Sequence, residues 1–508
     1  MTTSSSRFAA RIRVIAALGG LCALIIAGRL YVLQIVHGDM YEARAQVQVA
    51  PQRAPLLDRN DILFTDKNGE PWKAAFMDRV GTTSEYKRSY PGGSLAAQEI
   101  GFVAYNNDNV QKGRYGLERY YDQTLTRPAG DLYKNFFVEL FGTAKAALQG
   151  DDLSGSVVTT IEPGVQAELE RTLAGYDAIW HPRLAGGIIM NPQNGEIYAM
   201  AVSPTFDLNA FNTQEDPLIY ANPLVQNVYE MGSIAKPLTV AAGLDSGAIT
   251  PASTYNDTGC IEVDTKRICN FDGVARGVVP IQEILSQSLN VGASFVATRM
   301  GQDTMRDYFL GKYKLGEETG IDLPAEVHGL VDNIKKNGPA VEYDTASFGQ
   351  GIAITPIETV RALATLGNGG KLVTPHLAKA IRYETGITRD LTWGSAQALK
   401  PQTATDVSRM LTQVVDKALA NGDIKLEHYS VAAKTGTAQI ANPNGGGYYT
   451  DRFLHSFFGY FPSYDARFIV FLFAVEPKGA PFASQTWAQP FHSLTQFLIS
   501  YYDLPPDR

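Results

Sequence analysis

Residues 14–36 constrain this chain more than any other segment. Val14 to Gly28, VIAALGGLCALIIAG, carries no charge, and after Arg29 the apolar character resumes as LYVLQIV up to Val36. A helix of roughly 20 apolar residues crosses a bilayer, and an arginine beyond its middle reaches the headgroups on its long stem. Arg7, Arg11 and Arg13 precede the run with no acidic residue among them. The positive-inside rule then keeps residues 1–13 as a cytoplasmic tail, makes 14–36 the anchor and exports everything after about residue 37. A cleaved signal peptide is the rival reading, but the apolar run continues past the place where a small-x-small cleavage site is expected. The longest apolar run near the C-terminus, Phe468 to Val475, has strand length, so the expected topology is single-pass.

At 508 residues the chain predicts two or three domains. Residues 37–153 are polar and turn-rich, broken at Asp66-Lys67-Asn68-Gly69, Tyr90-Pro91-Gly92-Gly93 and Arg127-Pro128-Ala129-Gly130. Near Gly155 the pattern sharpens, which sets the expected boundary of a second domain over 154–508. There VVTTI reads as a strand, and the residues after Glu162-Pro163 have helical spacing with proline in the first turn. GGIIM and EIYAMAV form two strands around an Asn194-Gly195 hairpin signal, and VAAKTGTAQI, FLHSFFGYF and FIVFLFAV add three more. Between these sets the patterns are helical, as in IQEILSQSLNVGASFVATRM. The expected class is α+β, with a five-stranded antiparallel sheet closed by both ends of the domain and flanked by helices. Against 44 Lys and Arg stand 52 Asp and Glu, which excludes the basic excess that nucleic-acid binding needs. Three cysteines and seven scattered histidines offer no metal-ligand spacing, so neither a metal nor a cofactor is expected.

Three short elements carry the chemistry. Ser233-Ile234-Ala235-Lys236 opens a helix after Gly232, and residues three apart share a helix face, so hydroxyl and amine meet. A serine needs a base, and an amine desolvated near another cation loses its proton readily. The free N–H groups of the helix start suit a developing oxyanion. Ser288-Leu289-Asn290, expected on the helical run from Ile281, offers a hydroxyl and a carboxamide two residues apart. Lys434-Thr435-Gly436-Thr437 lies on a strand, where Gly436 lets a backbone approach closely and the lysine and hydroxyls suit a carboxylate.

In this order the three elements are the signature of penicillin-binding proteins and related lactamases. Asp58-Arg59-Asn60, Asp66-Lys67-Asn68-Gly69, Arg88-Ser89-Tyr90-Pro91-Gly92 and Gly116-Leu117-Glu118-Arg119-Tyr120 extend the likeness upstream, and SFGQGIAITPIE and LGNGGKLVTPHL extend it downstream. The chain resembles a class B penicillin-binding protein, a membrane-anchored peptidoglycan D,D-transpeptidase of the cell-division or elongation type. That resemblance implies a pedestal over 37–153 and a penicillin-binding transpeptidase domain over 154–508. It implies Ser233 as acylated nucleophile, Lys236 as its base, and Ser288 as proton relay to the leaving amine. Asn290 would hold the peptide amide; Lys434, Thr435 and Thr437 the terminal carboxylate, with Gly436 admitting the substrate backbone; and the Ser233 and Thr437 N–H groups the oxyanion. The implied ligands are D-Ala-D-Ala stem peptides on nascent glycan, and β-lactams. D-Ala-D-Ala carboxypeptidase activity is the implied side reaction. Residues 38–153 are too few for a glycosyltransferase domain, so a multi-pass glycan polymerase is the implied partner.

A serine β-lactamase or β-lactam sensor, and a catalytically silent cell-wall scaffold, are the competing readings. A lactamase needs a base that activates water for deacylation, and no segment offers one. The intact Ser233, Lys236, Ser288, Asn290 and Lys434 argue against a silent scaffold. Met231 replaces the proline that the family usually carries before Gly-Ser, Asp61 stands where it usually has glycine, and only Glu70 to Ser89 fills the place of its larger pedestal head. Cys260 and Cys269 flank a hairpin pattern and could face each other as a bridge or as free thiols. Gly367-Asn368-Gly369-Gly370-Lys371 reads as a helix-to-strand turn, and His455 as a residue packed or hydrogen-bonded in the sheet.

Overall fold

The architecture follows from one strand. Phe468–Val475, FIVFLFAV, is buried at every position, the pattern of a strand covered on both faces. It is the middle member of a five-stranded antiparallel sheet in a computed structural model. The model describes residues 59–79, 86–105, 111–126, 154–383, 386–442 and 444–508, with positions 18, 21, 24, 26 and 29. The strands are β1 (Leu184–Met190), β2 (Ile197–Ser203), β3 (Ala432–Ala441), β4 (Tyr448–Phe461) and β5 (Phe468–Val475), in the order β3-β4-β5-β1-β2. Both ends of the expected second domain thus meet in one sheet, as the apolar runs and the turn residues between them predict, and β3 lies at its edge.

Helix α1 (Pro163–Trp180) starts with Pro163 in its first turn and the Glu162 carboxylate accepting from the Val165 N–H, an N-terminal cap. It packs against α4 (Ala483–Tyr501), with Tyr176 and Trp487 stacked at 3.7 Å. A Cβ at Gly187 would touch Leu169 of α1, whereas one at Gly186 would meet Phe473 and Leu224, so successive residues of β1 face opposite layers. Helix α2 (Lys236–Asp245) is buried at nine of its ten positions, Lys236, Thr239 and Asp245 among them, and is therefore central. His455 is buried in β4 with Nδ1 3.0 Å from Thr486 Oγ1. Gly367–Gly370 turns from a helix into the strand Lys371–Val373.

A second sheet has six strands. Its order is Thr388–Asp390, Ala378–Arg382, Ser156–Thr159, Ile62–Thr65, Pro71–Arg79 and Tyr86–Ser89, and only the Ser156–Thr159 to Ile62–Thr65 pairing is parallel. The described residues between Glu70 and Ser89 thus form two strands, Pro71–Arg79 and Tyr86–Ser89, that pair with each other. The expected boundary near Gly155 falls directly before a strand paired to upstream residues on one side and to downstream residues on the other. Arg59 and Arg88 both bind Glu118, at 2.6 and 2.7 Å, with all three side chains buried. Three of the upstream motifs therefore converge on one charge cluster.

The expected anchor, 14–36, lies outside the described residues except at five positions, and the turn at Arg127–Gly130 lies outside them entirely. Among the described residues no helix is long and apolar enough to cross a membrane.

Candidate active site

The turn that carries Ser233 is built on a left-handed glycine. Gly232 has φ +64°, and its N–H donates to Gly349 O at 3.0 Å, so the chain enters a short 3-10 turn, Gly232–Ala235, that runs into α2. This places Ser233 and Lys236 on one side, with Lys236 Nζ 2.8 Å from Ser233 Oγ. Met231 is buried and its carbonyl accepts from Ser456 Oγ at 2.9 Å. Because a backbone oxygen makes that contact, methionine in place of proline does not remove it.

The expected single helix from Ile281 is two helices, Gln282–Ser286 and α3 (Asn290–Met300). Ser288 sits in the break with φ +59°, a left-handed conformation rare for a non-glycine residue. The break aims two oxygens at one amine: Lys236 Nζ lies 2.6 Å from Ser288 O and 3.2 Å from Ser288 Oγ. On its other side Ser288 Oγ accepts from Lys434 Nζ at 3.0 Å. Asn290 Nδ2 donates to Cys269 O at 2.8 Å, and Cys269 forms a disulfide with Cys260 across a hairpin, Cys260–Val263 with Lys266–Cys269. The adjoining Asn270 accepts from the Val291 N–H at 3.1 Å and donates to Asp257 at 2.8 Å, tying the hairpin to the start of α3.

Strand β3 divides its residues by face. Lys434, Gly436 and Ala438 are buried, whereas Thr435, Thr437 and Gln439 are partly exposed and line the cleft beside Ser233. The Lys434 side chain therefore leaves the strand on the inner face and reaches Ser288 instead of the cleft wall. Gly436 makes room inward as well: a Cβ there would stand 2.7 Å from Met231 O and collide with Ser456 Oγ. Its missing side chain lets β3 lie against the Ser233 turn, a different reason from the admission of a ligand. Thr437 Oγ1 accepts from the Ala483 N–H at 3.1 Å, which ties β3 to the start of α4.

The electrostatics follow from burial. Lys236 is completely buried, and desolvation, with the nearby Lys434 adding repulsion, pushes its amine well below the ordinary lysine range. Burial pushes Lys434 down to about 7. A neutral Lys236 can donate to Ser288 O and present its lone pair to the Ser233 hydroxyl, the geometry that general-base activation needs.

The cleft has a volume of about 820 Å3, and Ser233, Ser288, Asn290, Thr435 and Thr437 line it. Sequence reasoning missed other members. Gln350 and Phe348 come from the SFGQG segment, Tyr448 from the start of β4, and Phe271 and Phe482 approach edge-on at 5.9 Å. SFGQG could have signalled its place, since two glycines around a polar residue mark a close backbone approach; the aromatic pair has no local signature.

The penicillin binding protein transpeptidase domain family matches residues 185–494, more than half of the chain. Stage V sporulation protein D of Bacillus subtilis is 31% identical over 438 residues, covering 84% of this chain and 66% of that protein. The peptidoglycan D,D-transpeptidase FtsI of Buchnera aphidicola is 26% identical over 435 residues, covering 83% and 71%. The chain thus spans about two thirds of the length of such relatives. Penicillin binding protein 3 of Mycobacterium tuberculosis shares the fold with a TM-score of 0.76 at 24% identity, over 89% of this chain and 98% of that one. Its complex with ampicillin gives 0.75. With the SxxK, SxN and KTG elements assembled around one cleft, the chain belongs to the penicillin-binding protein transpeptidase family.

Proposed function

We propose that this chain is a serine D,D-transpeptidase that cross-links peptidoglycan stem peptides and is acylated by β-lactams. Ser233 Oγ attacks the carbonyl of the penultimate D-Ala while its proton passes to Lys236 Nζ. The backbone N–H groups of Ser233 and Thr437 receive the oxyanion. The proton moves through Ser288 Oγ to the leaving amine, the peptide bond breaks, and the terminal D-Ala departs. An amine of a second stem peptide then attacks the Ser233 ester, gives its proton to the same lysine, and leaves the new cross-link with Ser233 restored. Water in place of that amine gives carboxypeptidase activity. Thr435 and Thr437 bind the terminal carboxylate from the cleft wall, Lys434 adds its charge from behind Ser288, and Asn290 holds the peptide amide. In a β-lactam the leaving nitrogen stays tethered, so the acyl group persists.

Residues 14–36 serve as a single membrane anchor, with residues 1–13 in the cytoplasm and the pedestal and catalytic domain outside, where the stem peptides are. Glycan polymerisation belongs to a separate multi-pass partner.

The observation that carries this reading is the pairing of Ser233 with a fully buried lysine 2.8 Å away. Burying an amine without a carboxylate is costly, and a base for the neighbouring hydroxyl is a function that keeps it there. The test is labelling with fluorescent penicillin: the wild type takes one persistent label on the peptide containing Ser233, and folded Ser233→Ala takes none. Rapid loss of the label favours a lactamase, and a label elsewhere refutes the assignment.

A further inference from the structure

The break that carries Ser288 is gripped on both sides by one segment, residues 254–280, in which Thr254–Asp257 pairs with Gly277–Pro280 around the Cys260–Cys269 hairpin. On the upstream side Gln287, which closes the helix Gln282–Ser286, accepts from Arg276 Nε at 2.7 Å and donates to Glu283 Oε2 at 2.8 Å. On the downstream side α3 starts behind Leu289, whose side chain makes no capping hydrogen bond. A helix start leaves N–H groups without partners, and Asn270 supplies an acceptor from outside. Its Oδ1 takes the Val291 N–H at 3.1 Å, at the second helical position, where a capping oxygen bonds. Asn290, between them, is held through Cys269 O at 2.8 Å.

Both grips end on Asp257, whose side chain is fully buried. Its Oδ1 accepts from Asn270 Nδ2 at 2.8 Å and from the Gly259 N–H at 3.2 Å. Its Oδ2 makes no hydrogen bond and lies 3.8 Å from Arg276 Nη1, so Arg276 supplies counter-charge to it. Arg276 is itself fixed, by Asp272 at 3.1 and 2.8 Å and by its own N–H donating to Asp257 O at 3.1 Å. Tyr255 stacks on Phe295 of α3 at 5.5 Å, which seats the segment on that helix. Asn270 lines the cleft, whereas Asp257 and Arg276 are not among its lining residues. A strained backbone conformation persists where its surroundings over-determine it. Lys236 and Lys434 contact Ser288 itself; the residues before and after it are fixed from Asp257.

We propose that Asp257 is a positioning residue for acyl transfer. Through Arg276 and Gln287 on one side, and Asn270 and Val291 on the other, it keeps Ser288 left-handed and its hydroxyl between the two lysines, ready to pass a proton to the leaving amine. The inference rests on the function proposed above, in which Ser288 Oγ relays that proton.

The test is acylation of the full chain in detergent by penicillin, with the binding constant and the first-order acylation step measured separately and a thermal melt for each variant. Asp257→Ala should slow the acylation step by about a hundredfold and leave the binding constant near its wild-type value. Asp257→Asn, which still accepts from Asn270 but gives up the charge facing Arg276, should lie between the two. In a Ser288→Ala background the same Asp257→Ala change should cost at most about tenfold, because the hydroxyl it positions is gone and residues of one network do not act independently. A merely structural role would lower the melting temperature and give losses that multiply in full. Where Asp257→Ala does not fold, Arg276→Gln, a change at a less buried side chain, replaces it in the same cycle with a smaller loss. Losses that multiply in full, or an unchanged acylation step in folded Asp257→Ala or Arg276→Gln, overturn the inference while wild-type acylation leaves the transpeptidase reading standing. Failure of the wild type to be acylated overturns both.

Discussion

Lys236 and Lys434 are buried on either side of one hydroxyl, Ser288 Oγ. Burial disfavours both ammonium groups, and repulsion from Lys434 lowers Lys236 further. On the mechanism proposed above, Lys236, held well below the ordinary lysine range by desolvation and by Lys434, loses its proton to act as base, whereas Lys434, at about 7, would work while charged. The second-order rate constant for acylation by penicillin should therefore rise with pH as Lys236 deprotonates, then fall as Lys434 does. Lys434→Arg, whose guanidinium stays protonated, should keep the rising limb and lose the fall near neutrality. Superimposable pH profiles of the two proteins would contradict this division of labour. Ser233, Lys236 and the KTG lysine were legible in the sequence because helical spacing and a charged strand residue are local signals. The left-handed Ser288 was not, since nothing in SQSLN marks a serine with positive φ; tertiary contacts to two lysines hold it there.

Strand β3 is shaped to lie on the turn that carries Ser233. Gly436→Ala would put a methyl group 2.7 Å from Met231 O and force strand and turn apart. Small displacements of reacting groups cost about a hundredfold, so acylation should slow by at least about that factor in folded protein. Penicillin labelling rates beside a thermal melt measure it, and near-wild-type labelling would show that the contact yields without consequence. The five strands were legible from apolar runs and turn residues. The inward face of Lys434 was implicit in the period of two along AAKTGTAQ, yet a functional motif invites every residue to be read toward the substrate. The facing of Cys260 and Cys269 was legible in the hairpin pattern, and Asp264 takes φ +53° at its turn, but the bond itself was not, because the redox state around the two thiols leaves no mark in the sequence.

At the scale of the molecule, a buried charge cluster joins segments far apart in sequence. Burial pushes the Glu118 carboxyl up, but the guanidinium groups of Arg88 and Arg59 outweigh it and hold it below the usual range. A depressed carboxyl contributes stability above its unfolded value and loses it as the pH falls through the folded one. Glu118→Gln leaves the buried Arg88 guanidinium without its carboxylate and Arg59 with only Asp122, at 2.8 Å, and should cost about 3–5 kcal/mol at neutral pH, measured as a lower denaturant midpoint, with a smaller difference from the wild type in acid. An unchanged midpoint would place the cluster outside the cooperative fold. Each motif in this cluster looked weak by itself in the sequence, since partners 59 and 30 residues apart leave no periodic trace.

The six-stranded sheet has a practical consequence for anyone who wishes to isolate the enzyme's business end. Ser156–Thr159 has Ile62–Thr65 as its neighbour on one flank, so a recombinant piece starting at residue 154 would bare a row of amides and carbonyls there. Unpaired backbone of that kind recruits the same flank of other molecules, and such a piece should precipitate or dimerise through it unless residues 59–79 travel with it.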